Sequence, residues 1–354
     1  MANDWNRYGF TAARPQGRPG RELRPKSLTV DIHSHVAVPR AAEFAKPHLD
    51  WSTIPLAHFA TPETKALNQR QDAERQAQMT GIGERLADLD AMGLDLQVIM
   101  CPPPQCYYTV PLDIAAPASR MVNEGLSEYA AQTPDRYAVL GTVPLQDGDE
   151  AAKELEHAMT RLGHKGVQIL TNVAGRELSD PAFAPFWAKA EALGAVVLLH
   201  PNGFTEGQRL TRHYFNNVVG NPFETTLALH YLIFDGVLER HPNLKIVAVH
   251  GGGYLAAYSG RIDHAWGARA DAHGTLPHPP TSYLKRIYVD TVVFTSHQLR
   301  ALVEVFGPDH VVLGTDYPYD MAEYEPIEHV VSSGLDADTV GKICGGTARR
   351  LLGI

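Results

Sequence analysis

The sequence is poor in the residues that would mark a secreted, membrane-spanning or nucleic-acid-binding protein. It has 3 cysteines in 354 residues, Cys101, Cys106 and Cys344. These are too few for a disulfide framework and do not have the spacing of a zinc ribbon, so a reducing compartment is expected. No apolar run approaches the roughly 20 residues that cross a bilayer. The opening MANDWNRYGF has neither the hydrophobic stretch nor the small-residue cleavage site of a signal peptide. A cytoplasmic protein with no membrane contact is expected. Basic residues are outnumbered, 31 Lys and Arg against 40 Asp and Glu, for a net charge of -9. They form no long run beyond a loose cluster before residue 27, which argues against nucleic acid as a partner. A G-x-G-x-x-G turn after the first strand is also missing, which disfavours an open dinucleotide-binding sheet.

What is present is a rhythm. Residues 1–27, rich in Arg, Pro and Gly (AARPQGRPGRELRPKS), read as an extension outside the core. Eight short apolar, β-branched runs follow: SLTVDIH, LQVIMC, YAVLGTV, GVQIL, AVVLLH, KIVAVH, IYVDTV and VVLGTD. Segments of helical spacing lie between them, such as PASRMVNEGLSEYAAQT, DEAAKELEHAMTRLG, PAFAPFWAKAEALG and PFETTLALHYLIFDGVLERHP. Alternating strands and helices pair in parallel, and eight such units predict an α/β fold closed as a (β/α)8 barrel, a single domain over 28–354. A doubly wound sheet is the alternative. One connection is oversized, an insertion at about 36–83, and loops of that length usually bind or cover something.

Polar residues fall at one end of this rhythm. His33 and His35 share a strand face and close the first run. His200 closes the fifth, His250 the sixth and Asp316 the eighth. Each alone reads equally as a satisfied core residue or a turn cap. A barrel, however, gathers the C-terminal ends of its strands around one axis, and all five stand there. Three imidazoles and a carboxylate suit a divalent cation, zinc first, with manganese or cobalt as alternatives. With His33, His35, His200 and Asp316 as ligands, His250 is left beside the centre. An open metal position lowers the pKa of bound water, and a neighbouring imidazole can then manage its proton.

The series DIHSH, GVQI, LHP, GNPFETT, HPNLKIVAVHGGG, GRIDHAWGAR and LGTDYP, over roughly residues 28–352, resembles a branch of the amidohydrolase superfamily. That branch is the decarboxylases typified by 2-amino-3-carboxymuconate-6-semialdehyde decarboxylase. The resemblance implies a (β/α)8 TIM barrel of the metal-dependent hydrolase type, zinc, dimerisation, and non-oxidative loss of carbon dioxide from a small unsaturated or aromatic carboxylic acid. Aromatic-compound catabolism is the setting it suggests. It makes His33, His35, His200 and Asp316 the metal ligands, His250 the acid/base residue and Asp316 a second proton carrier. Arg269 stands where the branch carries an arginine that crosses a dimer interface to a substrate carboxylate. The substrate walls depart from the branch: Asn202, in HPNGF, replaces an aromatic, and Asn217 replaces a tryptophan. Asn202, Phe204 and Asn217 are accordingly the candidate substrate contacts. In the loop after strand one, Lys65, Arg70 or Arg75 is available in place of the branch's lysine and arginine.

Gly251–Gly253 lack the following Lys and Ser/Thr of a phosphate loop and read better as close backbone passage. Glu224 reads as a first-turn acid stabilised by its helix. Tyr107, Tyr108 and Phe294 are candidates for pocket walls or for aromatic core filling. A metal-dependent hydrolase or hydratase of a related ring-cleavage product or lactone is the competing enzyme reading. A metal-stabilised binding protein is the non-enzymatic one.

Overall fold

Eight parallel strands form one sheet that curls into a barrel, in the order β1 (Val30–His35), β2 (Leu96–Met100), β3 (Tyr137–Gly141), β4 (Gly166–Leu170), β5 (Val196–His200), β6 (Lys245–Ala248), β7 (Ile287–Asp290) and β8 (Val311–Val312). The structure is a computed structural model and describes residues 20–354; of the expected extension, residues 1–19 lie outside the described residues. Closure runs through the backbone between β8 and β1. Ile32 N donates to Leu313 O at 2.9 Å, Asp316 N to His33 O at 2.9 Å, and His35 N to Tyr317 O at 2.8 Å. The expected alternation therefore holds and the fold is a (β/α)8 barrel.

The strands are apolar almost throughout because both of their faces are covered. One face fills the lumen: Val30, Ile32, Val98, Met100, Leu140, Val196, Leu198, Val247 and Val312 form a single buried cluster. The C-terminal helix Thr347–Leu352 plugs the lower end, adding Ala348, Leu351 and Leu352 to that cluster. The other face, with Ile99, Val139, Val167, Val197, Ile246 and Val289, packs against the surrounding helices. Each such fully buried Val, Leu or Ile contributes about 1.5–3 kcal/mol relative to exposure.

Local signals set the helix limits. Asp147 caps the helix Gly148–Arg161 by accepting from Asp149 N and Glu150 N. Gly194, in a left-handed conformation at φ 63°, ends the helix Ala184–Leu193. The segment read as one helix over 222–242 is two, Asn221–Phe234 and Val237–Arg240, because Gly236 at φ 73° breaks it. The oversized connection after β1 is not an open loop. It holds the helices Pro39–Ala45, Pro55–His58, Pro62–Glu74 and Gln76–Thr80, and leads into the barrel helix Gly83–Met92. This insert is fastened over the C-terminal end of the barrel: Leu56 N donates to Asn202 O at 3.2 Å, and Asn216 Nδ2 to Pro55 O at 3.2 Å. No helix among the described residues is long and apolar enough to cross a membrane.

Candidate metal centre

The first strand does not run regularly to its end. Its pairing with β2 shifts between Asp31 and Ser34, so that Val30 and Asp31 oppose Leu96 and Gln97 while Ser34 and His35 oppose Ile99 and Met100. The extra residue moves the alternation by one position. Val30 and Ile32 fill the lumen, and His33 and His35 then turn into the same space above them. Asp31 holds this irregularity in place. Its Oδ1 accepts from His33 N and Thr315 N, both at 3.0 Å, and its Oδ2 from Thr315 Oγ1 at 2.7 Å and Gln97 Nε2 at 2.8 Å. Burial raises the Asp31 carboxyl to about 6 against these hydrogen bonds. Below it, the buried Arg85 guanidinium donates to the His35 carbonyl and, at 2.7 Å, to Gln97 Oε1.

The outer nitrogens of His33, His35 and His200 are committed. His33 Nδ1 donates to Asp290 Oδ2 at 2.8 Å, His35 Nδ1 to Cys101 O at 3.0 Å, and His200 Nδ1 to Pro201 O at 2.6 Å. These acceptors fix the proton on Nδ1 and leave a lone pair on Nε2. The three lone pairs converge. His35 Nε2 lies 3.2 Å from His33 Nε2 and 3.1 Å from Asp316 Oδ1; His33 Nε2 is 3.3 Å and His200 Nε2 3.9 Å from that same oxygen. His200 Nε2 is buried with no hydrogen-bond partner among the described residues. Four acceptors facing one another in a dry site repel unless a proton or a metal cation stands between them.

Electrostatics agree with the geometry. Burial works against a charged His33, but Asp316 and Asp290 overcome it and raise the group to about 10. Burial lowers His35, and it drives His200 down to about 3. Burial also opposes an ionised Asp316, yet His33, His200 and His250 hold its carboxyl well below the ordinary range. Two carboxylates, Asp290 and Asp316, thus hold a proton on His33 beside the neutral His35 and His200, and a divalent cation would take the place of that proton. The donor atoms of His33, His200, His250 and Asp316 all lie within 4.8 Å of one another.

His250 is the most exposed of the four imidazoles, at 16% of its side chain. Its Nε2 is 3.4 Å from Asp316 Oδ2, the oxygen turned away from the His33 and His35 contacts, and its Nδ1 is buried without a partner among the described residues. It follows β6 with φ 55°, and Asp316 follows β8 with φ 61°. Non-glycine residues seldom hold this conformation, and when they do it is mostly at functional sites. The glycines after His250 allow close passage: at Gly253, φ 69°, a Cβ would lie 2.1 Å from Pro222 O. Asp290, at the end of β7, was not among the sequence candidates. It binds His33 with one oxygen and accepts from Gly251 N at 2.9 Å with the other, joining the first strand to the turn that carries His250.

Above the cluster is a cavity of about 490 Å³ reached by His200, His250 and Asp316. Asn202 and Asn217 line it, as does Arg75 from the insert. Of the three basic candidates after strand one, only Arg75 is there; Lys65 and Arg70 are exposed and do not line this cavity. The Arg75 side chain is 6% exposed, pairs with Asp72 Oδ1 at 2.7 Å, stacks 4.9 Å from the Tyr319 ring centre, and has its Nη1 without a hydrogen-bond partner among the described residues. Tyr214 and Tyr319 complete that wall. Phe204 does not line the cavity and packs its ring 4.9 Å from Phe223. Arg269 is also outside the cavity, 67% exposed and paired with Asp271 at 2.7 Å. Phe294 is exposed away from it. Glu224 is not a simple first-turn acid: it ties the loops after β4 and β5 by accepting from Asn172 Nδ2 at 2.7 Å and Thr205 N at 3.1 Å.

Comparison with known proteins points the same way. An amidohydrolase family model matches residues 110–354. The chain is 30% identical over 332 residues to 2-amino-3-carboxymuconate-6-semialdehyde decarboxylase of Dictyostelium discoideum, covering 93% of this chain and 92% of that protein. Its fold is similar to that of 5-carboxyvanillate decarboxylase from Sphingomonas paucimobilis, with a TM-score of 0.80 and 25% identity over 92% of this chain and 99% of the other. It is similar as well to the 5-carboxyvanillate decarboxylase of Novosphingobium aromaticivorans, solved with manganese and 4-hydroxy-3-methoxy-5-nitrobenzoic acid. There the TM-score is 0.83 at 22% identity, covering 97% of this chain and 100% of that one.

Proposed function

The chain belongs to the amidohydrolase family, and from that membership we propose that it is a metal-dependent, non-oxidative decarboxylase of a small aromatic or unsaturated carboxylic acid. The observation that carries the reading is the convergence of three lone-pair nitrogens on Asp316 Oδ1 at the floor of a cavity walled by a buried arginine.

In this reading His33, His35, His200 and Asp316 hold the cation. Zinc is the proposed ion, supported by the three-imidazole, one-carboxylate donor set. Manganese is the rival, since a carboxyvanillate decarboxylase of similar fold was solved with it. When bound, the cation supplies Lewis-acid stabilisation of negative charge that develops on substrate oxygen. The chain supplies the rest. Arg75, held between Asp72 at 2.7 Å and Asp320 at 3.9 Å, anchors a substrate anion, and Tyr319 and Tyr214 offer phenolic hydroxyls beside it. Asn202 and Asn217 border the substrate ring. His250 Nε2 delivers the proton to the carbon that loses carbon dioxide, and Asp316 Oδ2, at 3.4 Å, steadies or relays it. The carboxylate leaves as carbon dioxide, its bonding electrons going to the carbon that takes the proton. The insert keeps bulk water from the cavity.

A homodimer belongs to the same reading. Phe215, Val218, Val219 and Phe223 are exposed along one edge, and Tyr254, whose hydroxyl reaches Val219 O at 3.4 Å, joins them to Tyr258. A contiguous apolar patch of this kind marks an interface. Arg269 ends the helix Leu255–Ala268 that borders the patch, a position from which it would serve the partner's cavity. The three free cysteines support a reducing, cytoplasmic setting.

The test is metal analysis of the purified protein, coupled to a screen of hydroxybenzoate-type and muconate-type acids for carbon dioxide release. His250→Ala should cut the rate on any confirmed substrate by at least about 100-fold. Mass gain by water in place of carbon dioxide release would replace this reading with a hydratase or hydrolase.

A further inference from the structure

Arg85, on the helix Gly83–Met92, carries a fully buried guanidinium. Its Nη2 donates to the His35 carbonyl and, at 2.8 Å, to Gln78 O, and its Nε reaches the same Gln78 oxygen at 3.2 Å. Its Nη1 donates to Gln97 Oε1 at 2.7 Å. One side chain thus joins β1, β2 and the helix Gln76–Thr80 of the insert. Its hydrogen-bond acceptors among the described residues are two carbonyls and an amide, none of them a carboxylate.

A buried charge that hydrogen-bonds only to neutral acceptors is costly. Asp88, one turn along the same helix, feels the charge, but its carboxylate accepts from the Tyr317 hydroxyl at 2.5 Å. A methionine would fill the same space without that cost, so packing alone does not account for the guanidinium. What methionine lacks is a rigid fork of donors that holds several acceptors in one fixed relation. Those acceptors lead to the cluster. Tyr317, whose ring centre lies 4.8 Å from the Arg85 guanidinium carbon, directly follows Asp316 and accepts from His35 N at 2.8 Å. Gln97 Nε2 donates to Asp31 Oδ2 at 2.8 Å, and Asp31 in turn accepts from His33 N.

The other arm of the fork leads to the cavity. The helix Gln76–Thr80 begins directly after Arg75, and Met79 N donates to Arg75 O at 2.9 Å. Gln76 and Met79 line the cavity beside Arg75. Ala37 N, two residues beyond His35, donates to Met79 O at 3.0 Å, a second tie between the same two segments. We infer that Arg85 is a positioning residue, which fixes the backbones of His35 and Asp316 relative to one another and to the cavity wall that carries Arg75. Arg85 does not itself line the cavity, so it acts through these residues. The link to substrate rests on the proposed decarboxylase reading, in which Arg75 anchors the anion.

The test compares Arg85→Lys and Arg85→Met with wild type, metal-free and metal-loaded. Chelator competition should show metal bound at least about tenfold more weakly in both variants. The visible absorption of the cobalt-loaded protein should shift, because the ligands move relative to one another. A purely structural Arg85 would lower the metal-free Tm and leave affinity and spectrum as in wild type, and that result overturns the assignment. Where neither variant folds, Gln97→Met cuts one arm of the fork and keeps Arg85; affinity should fall several-fold, and unchanged affinity and spectrum overturn the assignment equally. With a confirmed substrate, a double-mutant cycle reads the link to the cavity wall. Arg75→Met should raise KM at least about tenfold in wild type but no more than about threefold in Arg85→Lys, where the anchor has already lost its fixed distance to the ligands. Equal losses in the two backgrounds overturn that link. If no acid loses carbon dioxide, the decarboxylase reading fails, while the metal measurements still decide whether Arg85 positions the centre.

Discussion

His33 and Asp290, 257 residues apart in sequence, are joined by a 2.8 Å hydrogen bond from imidazole Nδ1 to carboxylate Oδ2 in the dry interior of the barrel. The bond fixes which nitrogen of His33 faces the cluster. It adds negative charge just behind that nitrogen, and through Gly251 it positions the turn that carries His250. Asp290→Asn should therefore keep the fold and weaken the metal about 10–100-fold, as loss of an outer carboxylate partner commonly does. Competition with a fluorescent chelator measures this. Unchanged affinity would show that the backbone alone sets the His33 tautomer.

Removing the cation should destabilise the protein, because a ligand that binds only the folded cluster of His33, His35, His200 and Asp316 stabilises it by mass action. Metal at 100 times its Kd should stabilise by about 2.7 kcal/mol relative to the metal-free form. A Tm that climbs with the logarithm of free metal checks this. His200→Ala should flatten that dependence, since it removes an unpartnered nitrogen from the cluster.

Arg75 is predicted to govern substrate binding more than turnover. Arg75→Met should raise KM at least about tenfold, because a buried charge-assisted contact is lost. Arg75→Lys should recover only part of it, having neither the planar fork nor the stacking on Tyr319. Equal losses in kcat and kcat/KM for Arg75→Met would instead assign the guanidinium to the transition state.

The sequence showed the barrel and its strand-end residues because both rest on local patterning: β-branched runs closed by His33, His35, His200, His250 and Asp316. It did not show the bulge in β1, because periodicity carries no register and the shift depends on Asp31 bonding across to Thr315. Asp31 and Asp290 were nonetheless visible as acids inside the apolar runs LTVDIH and IYVDTV, a signal that buried partners must exist. Arg75 could not be told from Lys65 or Arg70. The helix Pro62–Glu74 has no apolar face to orient it, and docking of the whole insert decides which cation turns inward.

Acid should destabilise the protein through a histidine remote from the cluster. Burial lowers His164 from 6.5 to about 4, and its Nε2 lies 2.8 Å from Ser127 Oγ. Between those values the unfolded chain binds a proton that the folded one refuses, so stability rises with pH from about 4 to 6.5 and falls on acidification. The full effect is about 3 kcal/mol by the free energy of one pKa unit. Melting curves of metal-loaded wild type and His164→Gln over that range should differ in slope, with the variant less sensitive. Parallel slopes would mean that His164 titrates alike in both states.

Subunit mixing tests Arg269. The side chain is exposed, held by Asp271, and does not line the cavity of its own subunit, so its predicted service is to a partner. Arg269→Ala and His250→Ala should each be inactive alone. In a mixed dimer, the subunit that lacks Arg269 keeps its own His250 and receives Arg269 from its neighbour, which restores one site of two. Random reassembly of equal amounts makes half the dimers mixed, so about one quarter of wild-type activity should return in a two-fold assembly. Phe223→Asp, placed in the exposed apolar patch, should abolish that recovery by preventing association. Should mixing restore nothing while dimers still form, Arg269 acts within its own chain or only in the ion pair with Asp271.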